Sequence, residues 1–479
     1  MVGVLRGAAC AATLISSVSA LHTPPRKVAN LAHVGTAEIA DEKACSIADP
    51  FRQEMSNFHD LQYHSEMKIG GQTIQGIIDT GSFELVVFSK TCTTCGIAPA
   101  YDEKASTSYK KGNHSQVHAY GSGSCRTQDG RDDINLGCFT APGQDMWMAM
   151  ECQMPLLAEA SFNAIIGIGP PGQPEFTARQ KIEQLQAIEE QLKAANQPIP
   201  ADVQEAGRLA NEELVAALEK HSLVENFGMQ RFSTCYGKGP GSPAYMIWND
   251  IEREGQPGVR RIPVIGNITW SALLETVTLS VPGAAEIAVG CQPSCGAIVD
   301  TGTSLMGVPT SVFNAIAGAI NSGGYATDCG DLSKFPDLVM SVGGHKLRFP
   351  PSSYIGTVFG SLKSESSEFM RLNSITGDSK GQCQLLLMDL GEQKTQFGSM
   401  FILGMPFFRE YYTTFDLGKG RGARSLVISK ANGGCEPDLT ASLQEFARHR
   451  NRHDITPRQV DVSKLRVPHW LTKRSGSGI

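Results

Sequence analysis

A chain of 479 residues has room for two to four domains or one large bilobed unit. Its 41% hydrophobic and 19% charged content excludes disorder over the whole length, and a net charge of −6 is too small to imply a nucleic-acid partner. Fifty glycines and few aromatic residues fit a turn-rich β protein better than a helical bundle.

The first segment, "MVGVLRGAACAATLISSVSA", has one early Arg6, a short apolar stretch and a Val-Ser-Ala end. It predicts a signal peptide, residues 1–20, since the apolar stretch is too short to span a bilayer. No other run reaches the length of a membrane span, so a mature protein without a membrane span is expected. Two sequons, Asn113-His-Ser and Asn267-Ile-Thr, fit a secretory route, secreted or ending in an acidic lumen. In that setting the twelve cysteines beyond Cys10 read as a disulfide framework.

Residues 21–57 are polar and irregular, and predict a pro-segment or N-terminal extension. From Leu61 short strand patterns follow one another, among them "QYHSEMKIGG", "TIQGIID" and "ELVVFS", separated by turn signals. Between Gln173 and His221 the period changes. Ile182, Leu185, Ile188 and Leu192, then Val203, Ala206, Leu209, Leu214 and Leu218, predict two amphipathic helices broken at Pro198 and Pro200. This gives an N-terminal lobe over 58–240 carrying a helical insertion at about 173–212. The β pattern resumes after Gly237 in a second lobe, 241–440. The remaining 441–479 hold eight Lys/Arg against three Asp/Glu and predict a solvated, flexible basic tail.

Two stretches share one pattern. "GIIDTGS" (Gly76–Ser82) and "AIVDTGTS" (Ala297–Ser304) each put an aspartate directly behind two aliphatic residues, 221 residues apart. One Asp-Thr-Gly is an ordinary turn at a strand end. Two copies, each followed later by an apolar-apolar-Gly element (Ile165-Ile166-Gly167 and Ile402-Leu403-Gly404), mark a duplicated unit. A buried carboxylate costs several kcal/mol unless paired or hydrogen-bonded, so Asp79 and Asp300 are candidates to be each other's partner. Two carboxyls at hydrogen-bonding distance hold one proton across the acidic range. Gly81 and Gly302 would let the loops approach the carboxylates, Thr80 and Thr301 would cross-brace the loops, and Ser82 and Thr303 would hydrogen-bond the acids.

With "CQPSCGAIVDTGTS", "ILGMPFFREYYTTFDLGKGR" and "HAYGSGS", the chain resembles the pepsin-like bilobed aspartic endopeptidases over Leu61 to Cys435. The resemblance implies a predominantly all-β fold of two related lobes with the cleft between them, acting on polypeptide substrates as a monomer without cofactor or metal. It implies catalysis by Asp79 and Asp300 and a flap carrying Tyr120, Gly121 and Ser122. Its flap-backing tryptophan position falls on Val86, which deprives Tyr120 of its usual partner. A substrate pocket of Ile77, Leu156, Phe162, Ile165, Ile298 and Ser304 would favour bulky hydrophobic residues around the scissile bond. The implied bridges are Cys291–Cys295, Cys329–Cys383, Cys235–Cys435 and Cys92–Cys95. Cys45, Cys125, Cys138 and Cys152 then remain, and they form two bridges only if Cys45 is included, with Cys152 its expected partner. Family members usually block the dyad with a pro-segment lysine, a role open to Lys27 or Lys43.

"GIGPPG" (Gly167–Gly172) imitates a dinucleotide fingerprint, but Pro170 and Pro171 lack the N–H groups a pyrophosphate needs. His449 and His453 would pair on a metal only if the tail were helical there. The rival from another class is a pepsin-fold protein that binds peptides or inhibits enzymes without cleaving. Such proteins usually damage one Asp-Thr-Gly or the flap, and here both motifs and Tyr120 are intact.

Overall fold

The structure, a computed structural model, describes residues 48–98, 100–120, 123–154, 157, 161–281, 283–323, 329–360, 370, 383–440 and 457–467. The expected signal peptide, Lys27, Lys43, Cys45, the flap-tip residues Gly121 and Ser122, Leu156, and the pair His449 and His453 lie outside them.

The N-terminal lobe is built from β1 (Phe51–Phe58), β2 (Gln62–Ile69), β3 (Gln72–Asp79), β4 (Leu85–Phe88), β5 (Lys110–Tyr120), β6 (Gly123–Leu136), β7 (Phe139–Gln153) and β8 (Ala164–Gly167). β3 runs parallel to β8, with Asp79 opposite Gly167, and β4 lies antiparallel to β8. The second lobe repeats the unit. Cys295–Val299 runs parallel to Gly398–Leu403, with Val299 opposite Leu403, and Met306–Val308 lies antiparallel to the latter. These inner strands are buried on both faces, which is why they read as unbroken aliphatic runs before each aspartate.

β1 ties the lobes together, pairing with Ala244–Trp248 on one side and β2 on the other. A 14-stranded sheet therefore runs from the strands Arg260–Pro263, Ser425–Ala431 and Tyr411–Asp416 through β1 to β5, and a nine-stranded sheet completes the second lobe. The expected boundary at residue 57 falls inside β1, because its backbone groups are already committed to both neighbours.

α1 (Gln173–Ala194) and α2 (Ala201–Leu218) form a helical hairpin on the N-terminal lobe, bridged by Lys181–Glu213 at 2.7 Å. Pro198 and Pro200 lie in the connection and end the pattern there.

Residues 457–467 depart from the expected solvated tail. Arg458–Asp461 adds as a parallel strand to Ile355–Phe359 in a three-stranded sheet with Cys383–Leu385. Val460, Val462, Leu465 and Val467 are each 2% exposed and pack with Leu61, Leu305, Val358, Met388 and Ile402. A local alternation of aliphatic residues inside the basic stretch supplies the buried face that net composition conceals.

Bonds join Cys92–Cys95, Cys235–Cys435, Cys291–Cys295 and Cys329–Cys383. The expectation for Cys152 is corrected. It bonds Cys125, which faces it directly in the β6–β7 register with the Cα atoms 4.1 Å apart. Cys138 is also disulfide-bonded. Sγ of Cys95 lies 3.4 Å from Sγ of Cys152, so the Cys92–Cys95 bridge abuts the one between β6 and β7. That sulfur cluster offers no thiolate to a metal, since each sulfur is already bonded to another.

Candidate active site

Asp79 ends β3 and Asp300 follows the strand Cys295–Val299, so the two parallel units deliver one carboxyl each to the same place. Both are buried, at 2% and 1% exposure. The threonines brace the loops reciprocally. Thr80 N–H donates to Thr301 Oγ1 and Thr301 N–H to Thr80 Oγ1, both at 3.0 Å. Each hydroxyl then donates across the lobe boundary, Thr80 to the Val299 carbonyl at 3.0 Å and Thr301 to the Ile78 carbonyl at 2.8 Å.

The glycines make the close approach possible. A Cβ on Gly81 would stand 2.8 Å from Asp300 Cγ, and one on Gly302 would stand 2.5 Å from Asp79 Oδ1. Any side chain at either position would displace the opposite carboxyl. Each glycine also donates its N–H to the acid of its own loop, Gly81 to Asp79 Oδ1 at 2.9 Å and Gly302 to Asp300 Oδ1 at 2.7 Å.

The outer oxygens break this symmetry. Thr303 Oγ1 donates to Asp300 Oδ2 at 2.6 Å. Ser82 Oγ, expected to do the same for Asp79, is buried without a hydrogen-bond partner. Asp79 Oδ2 instead faces Nη2 of Arg466 at 3.8 Å. Burial, and then the charge of Asp79, hold the Asp300 carboxyl well above the ordinary carboxylate range, against the pull of the Thr303 and Gly302 hydrogen bonds. One proton is thereby retained at the pair into weakly acidic conditions.

Ile77, Phe162 and Ile165 gather with Tyr120, Val86 and Phe88 in one buried cluster. Trp147 packs against it from β7, directly opposite Val86 in the parallel register. A tryptophan therefore borders the cluster from the neighbouring strand rather than from position 86. Ile298 lies outside this cluster, on the second lobe beside Ile402. Ser304 donates to the Leu61 carbonyl at 2.7 Å and is buried. His64, stacked on Phe58 at 5.7 Å and tilted against Phe162 at 5.6 Å, has its pKa lowered to about 4, first by burial and then by the nearby Arg466 charge.

Residues 62–196 and 256–423 match the family described as "Eukaryotic aspartyl protease". The chain belongs to this family. Both braced acids fall within the matched residues. Pepsin A of Gallus gallus is 24% identical over 373 residues, covering 76% of this chain and 84% of the relative. A vacuolar aspartic protease of Candida albicans is 28% identical over 374 residues, covering 76% and 75%. Cathepsin E of Rattus norvegicus is 24% identical over 392 residues, covering 79% and 83%. The chain is an aspartic endopeptidase acting on polypeptides, with the bilobed pepsin-like fold. Among the described residues no helix is long and apolar enough to cross a membrane.

The residue that sequence reasoning missed is Arg466. Its charge was counted into a tail, and only the alternation of Val460, Val462, Leu465 and Val467 around it signals a docked segment.

Proposed function

We propose that Asp79 and Asp300 are the catalytic pair, and that they hydrolyse peptide bonds at acidic pH through a water held between them. One carboxylate takes a proton from the water as it attacks the scissile carbonyl, while the other, protonated, donates to the carbonyl oxygen. The two roles belong to the coupled pair rather than to either residue. The observation that carries this reading is the mutual approach of the loops, in which each glycine leaves room for the opposite carboxyl. Thr80 and Thr301 hold that geometry, and Thr303 orients Asp300.

The apolar wall of Ile77, Phe162 and Ile165 beside Tyr120 supports a preference for bulky hydrophobic side chains flanking the cleaved bond. Tyr120 would close over bound peptide with the flap, excluding water. The protein acts as a monomer in the secretory pathway, either secreted or in an acidic lumen.

The test is digestion of a denatured protein at acidic pH, by the full chain and by a form ending at Thr440, with and without a statine-type inhibitor. Inhibitor-sensitive cuts beside bulky hydrophobic residues are the expected result. Failure of both forms to cleave, with the inhibitor bound, would favour a peptide-binding protein on the same fold.

A further inference from the structure

The segment Pro457–Val467 is packed into the protein rather than in solvent, and it carries Arg466 to the acid pair. Arg466 brings its guanidinium to 3.8 Å from Asp79 Oδ2 while only 4% exposed, and lies 6.0 Å from the Phe162 ring centre in the expected substrate pocket. Its main chain is held by the residue that follows Thr303. Arg466 N–H donates to Ser304 Oγ at 2.9 Å, and Ser304 N–H donates to the Arg466 carbonyl at 3.3 Å. Two residues earlier, the Lys464 carbonyl accepts from Gln62 Nε2 at 2.9 Å. Further back, Arg458 pairs with Asp60 at 3.2 Å and donates to the Lys238 carbonyl at 2.5 Å.

Backbone and side-chain contacts both hold the segment: Arg458–Asp461 adds as a strand, Val462–Lys464 turns, and the turn delivers Arg466 to the acid pair. The segment differs from a substrate in one respect. Both backbone groups of Arg466 are bonded to Ser304, so the group facing Asp79 is a guanidinium, which has no bond to cleave. A cation there also offsets the negative charge that the pair needs to draw a proton from water. We propose that the C-terminal segment around Arg466 is a built-in inhibitor that fills the cleft as a non-cleavable peptide mimic, and that activation requires its departure. Residues 441–456 join Thr440 to this segment, and a cut there would free it as a separate peptide. The proposal rests on the peptidase reading above, and the test separates the two.

The test inserts a recognition sequence for a site-specific protease between residues 445 and 452 of the full chain, so that the segment is severed after folding and exchanged away by gel filtration. Turnover of a quenched peptide substrate is expected to rise at least tenfold on severing. A synthetic peptide of residues 457–467 is expected to restore inhibition competitively, and its Arg466→Ala form to inhibit at least tenfold more weakly. Equal turnover before and after severing, with departure of the segment verified by mass spectrometry, overturns the proposal and leaves the peptidase reading intact. If neither form hydrolyses substrate, the peptidase reading fails, and fluorescence anisotropy of the labelled 457–467 peptide on the severed chain still decides occupancy. Binding weakened tenfold by Arg466→Ala supports it, and no binding overturns it.

Discussion

The helical hairpin and the C-terminal segment are both additions to the duplicated core, and their sequences suggest the reverse of what they do. The hairpin has the regular apolar spacing of a packed element. Yet its buried residues are small alanines, Ala178, Ala210 and Ala217, while Ile188, Leu209, Val215 and Leu218 are 44 to 66% exposed. The C-terminal segment is charged and follows a basic stretch, yet Arg458, Lys464 and Arg466 are all less than 10% exposed. A periodic pattern shows that an element can form. Burial depends on whether the rest of the chain offers a complementary surface, and here it offers one to the segment.

The largest expected consequence is a contrast of matched substitutions. Leu465→Asp places a charge in the apolar cluster that holds Leu61, Leu305 and Met388, and burying a carboxylate among apolar side chains costs several kcal/mol. It is expected to eject the segment and raise peptidase turnover about as much as severing does. Val215→Asp puts the same charge on a side chain 66% exposed, so stability should change by no more than about 0.5 kcal/mol and turnover not at all. Thermal unfolding and steady-state assays of the two variants check the pair, and equal effects would break the comparison.

Removing the hairpin is expected to matter less than removing the segment. Replacing residues 177–216 with a short Gly/Ser linker keeps Phe176 beneath Arg421, 4.8 Å from ring centre to guanidinium carbon, and loops tolerate such changes at small entropic cost. kcat/KM of the severed enzyme should stay within about threefold. An insoluble or unfolded product would show that the hairpin supports the lobe.

A smaller, pH-linked effect should separate the regions further. His64 has a folded pKa depressed from 6.5 to about 4, so its neutral, packed form contributes stability that is present above 6.5 and lost as pH falls toward 4. Protonation there sets a second cation near Arg466, among Ser161, Phe58 and Phe162. Hydrogen-exchange protection of residues 457–467, corrected for the intrinsic rate at each pH, should therefore fall on acidification, and His64→Phe should flatten that dependence. Asp300 works on the other limb. Its raised pKa means that the shared proton is present in acid and lost as pH rises through the raised value. Turnover of the severed enzyme should fall toward neutrality, and an optimum above about pH 8, far beyond the ordinary aspartate range, would contradict this.

Much of the site was legible because it depends on local, repeated chemistry. The Asp-Thr-Gly loops, their aliphatic lead-in strands and the later apolar-apolar-Gly elements are each written within a few residues, and the duplication made them conspicuous. What was not legible depends on register and distance. Cys125 and Cys152 face each other only once β6 and β7 are paired, and Trp147 comes opposite Val86 from a strand that arrives later in the chain. The guanidinium beside Asp79 comes from a contact between residues nearly 400 positions apart. No motif spacing carries that information.

The central claim is that two acids from two lobes act as one catalytic unit, and its most direct measurement is turnover by Asp79→Asn and Asp300→Asn in the severed enzyme. An amide at either position cannot share the proton or serve as base, so each variant should lose at least about a thousandfold in kcat while remaining folded by circular dichroism. The double variant should lose little more than either single one, because the pair works as a unit. Cleavage within tenfold of the parent by either purified single variant would contradict the account.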